Sequence, residues 1–177
     1  VDPNRNWPAS WRPEVDQGGA GPYPLSEPET RATAEYLLAL PHLAGVQSFH
    51  NAGRMILRPP AAFTDAEAGM PPSDKALYDE IGRRGTVLLP SYRYMQIRED
   101  LYRVFGGFVD WAYVELGTTA FTNELWGGIG RDPMQKGKGG HEHAEEDDQL
   151  AALRFNDVAL HGRGFVRWKA CPHPQHG

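Results

Sequence analysis

What most constrains the fold of this 177-residue chain is an alternation of helix-period and strand-period segments, each closed by proline or glycine. Ser26-Glu27-Pro28-Glu29 offers an N-cap, an early-turn proline and an acidic third residue, and Tyr36, Leu37 and Leu40 follow at helical spacing. The pattern predicts a helix over residues 27–40, stopped at Pro41. Gly45 to His50 alternates as a strand that Asn51-Ala52-Gly53 ends, and Arg54 to Arg58 predicts a second strand closed by Pro59-Pro60. Ser73 or Asp74 is expected to cap a helix reaching about Arg84, with Leu77, Tyr78 and Ile81 on one face and Gly85 just past its end. Thr86 to Leu89 is too short to type, and Tyr92 to Phe105 is aromatic-rich without a clear period. Gly106-Gly107 opens a turn before Phe108, residues 112–117 read as a short helix, and Thr119 to Leu125 reads as a strand. Helices and strands that alternate within one chain predict an α/β layer architecture.

Composition removes several function classes. A formal charge of -5 with no basic patch gives no support to nucleic-acid binding. No apolar run approaches the roughly 20 residues that cross a bilayer, so no membrane-spanning segment is expected. The opening residues do not read as a signal peptide. A single cysteine, Cys171, excludes an internal disulfide framework. Residues 7–28 are rich in proline and glycine and read as an ordered surface excursion, which in a compact domain points to a functional rim. Past Gly127-Gly128 the chain turns polar and glycine-rich, so residues 129–177 are expected to be a polar insertion and tail, with a short amphipathic helix over 149–160.

Three separated pieces carry chemistry. Arg5 presents a rigid fork of donors suited to a carboxylate, and Asn4 adds a neutral donor to the same oxygens; a lone arginine is otherwise a surface charge. His50 stands at the carboxyl end of a predicted strand, where ligands collect in open α/β sheets; its competing reading is a satisfied histidine at the edge of the core. Glu124 lies in the strand Ala120-Phe121-Thr122-Asn123-Glu124-Leu125, where an unpaired buried carboxylate is costly. It is either a solvated edge charge or a general base in a cleft.

Taken in order, Asp2-Pro3-Asn4-Arg5-Asn6-Trp7, the Ser26-Glu27-Pro28-Glu29-Thr30 helix start, Ser48-Phe49-His50, Gly106-Gly107-Phe108-Val109-Asp110-Trp111-Ala112-Tyr113 and Ala120 to Leu125 resemble the M14 family of zinc metallocarboxypeptidases. The resemblance implies a three-layer α/β/α fold with a mixed central sheet, present as the C-terminal portion of a catalytic domain. It implies a Zn²⁺ cofactor and, as substrate, the C-terminus of a peptide or protein. Asn4 and Arg5 would clamp the terminal carboxylate, His50 would be one zinc ligand, and Glu124 would be general base and then acid. Tyr102 would swing over the substrate, Asp2 would orient a different zinc histidine, and Val109 would floor the side-chain pocket. An apolar floor favours hydrophobic or aromatic C-terminal residues, with Arg103 and Arg131 within reach of the rim. An extracellular or periplasmic setting is implied by the family alone.

The chain also departs from the family pattern. Its His-x-x-Glu zinc pair and an arginine that polarises the carbonyl are expected before Val1, so the isolated chain is expected to be inactive and to need an upstream segment or another chain. His143-Ala144-Glu145-Glu146, beside His141, repeats the spacing in the wrong order and reads as a solvated acidic face. Ala52 stands where digestive members carry tyrosine, which alters a lesser pocket contact. Two further readings stay open: a related zinc amidohydrolase or deacylase, and a non-catalytic carboxylate-binding module.

Overall fold

The computed structural model describes residues 1–51, 53–90, 92–125, 153, 156–158, 161–164 and 167. The chain divides into a unit Val1–Leu125 and a second unit Trp126–Gly177. In the first, a 3₁₀ turn Pro3–Arg5 precedes α1 (Pro28–Leu38), β1 (Gly45–Asn51), β2 (Met55–Arg58), α2 (Pro72–Leu88), β3 (Arg93–Gln96), α3 (Ile97–Asp100), α4 (Phe108–Leu116) and β4 (Thr119–Leu125). The strands form one mixed sheet in the order β1-β4-β2-β3. β1 runs parallel to β4, β4 antiparallel to β2, and β2 parallel to β3. None of the described helices is long and apolar enough to cross a membrane.

Successive strand residues point to opposite faces, and the core divides accordingly. Met55, Leu57 and Ala120 join Ala34 of α1, Val109, Trp111 and Ala112 of α4, and Trp7 in one apolar cluster. Ile56 and Phe121, their neighbours in sequence, pack with Tyr78 of α2 and Met70 in another. Helices therefore cover both faces of the sheet, the α/β architecture expected, here as a partial domain.

Local chemistry moves several boundaries. α1 begins at Pro28 with Glu27 at the N-cap and no side-chain cap. Ser26 Oγ instead donates to Glu27 Oε1 and accepts from Asn6 Nδ2, so a residue far upstream holds this terminus. α2 begins at Pro72 and runs past Gly85 to Leu88. Gly85 does not stop the helix because it serves close approach: a Cβ there would lie 2.6 Å from Ile56 Cδ1. The expected helix 112–117 starts at Phe108, directly after the glycine turn, and ends at Gly117 in the left-handed conformation. Within the untyped stretch 92–105, β3 and α3 appear, with the Gln96 side chain accepting from Glu99 N at the start of α3.

After β2 the chain is held by two buried polar anchors. Arg58 donates to both carboxylate oxygens of Asp65 at 2.6 and 2.7 Å. Asp110 of α4 accepts from Ala61 N at 2.7 Å and Ala62 N at 3.1 Å. Burial pushes the Asp110 carboxyl up to about 6, against these two donors, which favour its charged form.

In the second unit Leu153 and Asn156–Val158 are helical, within the span expected to be a helix. Asn156 Oδ1 accepts from Gly164 N at 2.8 Å. Arg131, His141, His143, Glu146 and Cys171 lie outside the described residues.

Candidate active site

The site is built at the carboxyl ends of two parallel strands. β1 and β4 pair in register, so His50 stands beside Glu124 and Ser48 beside Thr122. Ser48 Oγ and Thr122 Oγ1 are 2.6 Å apart one step below, which keeps the two strands in this register on the site face. His50 Nδ1 lies 3.3 Å from Glu124 Oε1. The hydrogen bond to Glu124 raises the His50 pKa, against partial burial; the charges of Glu124 and Asp2 add to the rise and Arg5 opposes it.

The N-terminal segment enters the same cavity through a different set of constraints. Asp2 accepts from Asn4 N at 2.8 Å, capping the 3₁₀ turn, and its other carboxylate oxygen is 3.7 Å from Arg5 Nη1. Arg5 Nη1 also donates to the Asn4 carbonyl at 2.8 Å. Asn4 Oδ1 accepts from Phe108 N at 2.9 Å, which ties its amide oxygen to the start of α4 and leaves the two N–H donors out of that bond. The Trp7 ring lies tilted against Phe108 and Trp111, centroids 4.9 and 4.7 Å away, tying the N-terminal segment to α4. Gly106 must be glycine here: its φ is +67° and a Cβ would strike the Arg5 carbonyl.

Asp2, Asn4, Arg5, His50, Tyr102, Val109 and Glu124 all line one cavity of about 380 Å³, within the size range of small-ligand sites. Met55, Leu57, Ile97 and Val104 supply its apolar wall. Val109 is buried in the first turn of α4, whereas Tyr102 is 58% exposed and its hydroxyl has no hydrogen-bond partner among the described residues. The arrangement offers a cationic fork, a carboxylate paired to an imidazole, and a loosely held phenol around an apolar recess.

One residue of this neighbourhood drew no role from the sequence. Asn6 is fully buried, and its Nδ2 donates to Ala20 O, Tyr23 O and Ser26 Oγ while Oδ1 accepts from Glu27 N and Thr30 Oγ1. It binds the excursion 7–26 and the start of α1 to the residue next to Arg5. Its only sequence signal is an amide, both donor and acceptor, directly after Asn4-Arg5.

A catalytic zinc ion takes three protein donors and a water. Among the described residues no three His, Cys, Asp or Glu side chains converge to hold a metal. His50 could offer one donor, and these residues do not by themselves fit a complete zinc site.

Comparison with known proteins agrees with the fold. The zinc carboxypeptidase family, Peptidase_M14, matches residues 1–135, and the chain belongs to that family. Human carboxypeptidase A6 is 33% identical over 132 residues, covering 71% of this chain and 30% of the relative. Pig carboxypeptidase A1 is 28% identical over 142 residues, covering 71% of the chain and 31% of the relative. The chain thus spans about a third of the length of these curated relatives. Among solved structures, thrombin activatable fibrinolysis inhibitor superposes with a TM-score of 0.55 at 26% identity, covering 71% of this chain and 34% of that one. Carboxypeptidase A from Helicoverpa armigera, at 22% identity and a TM-score of 0.56 over 92% of this chain and 41% of that one, shares the fold.

Proposed function

We propose that the whole protein is a zinc-dependent carboxypeptidase that hydrolyses the last peptide bond of a peptide or protein chain. The observation that carries the reading is the meeting of Asn4 and Arg5 with Glu124 around one small, partly apolar cavity. An exopeptidase must recognise a free carboxylate and hold the adjacent bond beside a base. Arg5 and Asn4 are the recognition pair, and fixing the terminus places the last amide near Glu124. Glu124 takes a proton from the attacking water as the C–O bond forms, then returns it to the leaving nitrogen as the C–N bond breaks. The departing side chain enters the recess above Val109, which favours apolar C-terminal residues, and Tyr102 covers the bound terminus. Asp2 steadies Arg5 in this chain, and in the whole protein it orients a further metal-binding histidine.

His50 is the single metal donor in this reading. The remaining donors and an oxyanion-stabilising arginine come from polypeptide outside these residues, an upstream segment or a second chain. The test is timed release of free amino acids from a peptide by the full-length protein, with and without a zinc chelator. Glu124→Gln should lower kcat by at least about 10²-fold, the usual range for a lost general base. Equal rates in the variant, or no dependence on the metal, would sink the reading. Tight binding of a free carboxylate without any release would favour a binding module.

A further inference from the structure

The segment that carries Tyr102 is held to the protein by backbone N–H groups, and one of its restraints differs from the others. Tyr102 N donates to Ile97 O at 3.1 Å and Val104 N donates to Ala61 O at 2.9 Å, both main-chain acceptors. Phe105 N instead donates to a side chain, Gln17 Oε1, at 3.0 Å and across 88 residues of sequence. Gln17 belongs to the excursion 7–26, and the same excursion grips the clamp. Asp2 N donates to Gly19 O at 2.9 Å, and Glu14 closes the loop by accepting from Gly19 N and Gly21 N. Around the Phe105 ring the contacts converge as well: the Arg12 guanidinium lies 5.5 Å from its centroid and Arg103 5.9 Å.

We infer that Gln17 is a positioning residue for Tyr102: its side-chain carbonyl links the carboxylate clamp to the segment bearing the exposed phenol. The inference rests on the carboxypeptidase reading of the cleft. Tyr102 itself is exposed, so its placement over a bound terminus depends on the backbone behind it, and Gln17 is the one side-chain acceptor among that backbone's three restraints at 102, 104 and 105. Losing the acceptor frees the Phe105 amide without opening the apolar core, because Gln17 is only half-buried.

The variants are Gln17→Met, which keeps length and removes the acceptor, and Gln17→Glu, which keeps an acceptor oxygen. Hydrogen exchange at the Phe105 amide should speed up about tenfold in Gln17→Met, the equivalent of one ordinary hydrogen bond, and stay within about twofold of wild type in Gln17→Glu. In the full-length protein, Gln17→Met should raise KM for a peptide about threefold to tenfold with kcat within about twofold. That increase should vanish in a Tyr102→Ala background, because the two changes act through one element. Unchanged exchange at Phe105, a Gln17→Glu protein that behaves like Gln17→Met, or a KM effect that persists undiminished in Tyr102→Ala overturns the inference. If the wild-type protein releases no amino acid, the functional reading fails on its own, and the exchange measurement still decides the link between Gln17 and the Tyr102 segment.

Discussion

His50 and Glu124 face one another across paired parallel strands, with Nδ1 of one 3.3 Å from Oε1 of the other. The imidazole therefore has a carboxylate partner before any ligand arrives. In metal-free protein the His50 titration midpoint should lie above the ordinary histidine value and fall toward it in Glu124→Gln, as followed by NMR of the imidazole protons. The sign for stability follows from the raised pKa: the pair contributes fully below the unfolded value near 6.5, and the contribution is lost as pH rises through the folded value. The effect should be small, since the His50 side chain is 36% exposed.

Asp110 gives a second, separable pH dependence. Its folded pKa of about 6 exceeds the unfolded value of about 3.9, so the folded state holds the proton more tightly. Its contribution is present below about pH 4 and is lost as pH rises to about 6 and beyond. The stability of wild type relative to Asp110→Asn should therefore fall by about 2 kcal/mol between pH 4 and pH 7 in urea titrations. A difference that stays flat over this range would refute the assignment.

Asp65→Ala should be strongly destabilising. Arg58 is 4% exposed and donates to both Asp65 oxygens, so truncation strands a buried guanidinium. The expected loss is about 3–5 kcal/mol by chemical denaturation.

Gly106→Ala tests the coupling of the glycine turn to Arg5 and its proposed carboxylate binding. The new methyl group meets the Arg5 carbonyl at a backbone conformation that alanine adopts reluctantly. The melting temperature should drop by several degrees, and affinity for a carboxylate-ended probe such as N-acetylphenylalanine should drop with it. Wild-type affinity in a folded Gly106→Ala protein would show that Arg5 tolerates the displacement.

The parts legible from sequence were those set by nearest neighbours along the chain. The strand readings of Gly45 to His50 and Thr119 to Leu125 placed both residues of the central pair near strand ends, and the early-turn proline Pro28 put the start of α1 within one residue. Gly85 misled because the same residue type serves helix ends and close packing, and only the position of Ile56 on β2 separates the two. The order of the strands, the five side-chain bonds of Asn6 and the reach of Gln17 to Phe105 depend on contacts between distant segments, and no local pattern records them. His143 and Glu146 lie outside the described residues, so the reading of that segment rests on its sequence.

The parallel pairing of β1 with β4 also sets when the site comes into being. Ser48 and Thr122, bonded side by side, are 74 residues apart, and Asn4 reaches Phe108 across 104. Closing loops of that length is entropically unfavourable until many contacts form together, which makes such pairings slow. The cleft should thus appear late in refolding, after the local helices, and ligand-binding competence should recover with the last kinetic phase rather than with the first gain of helical signal.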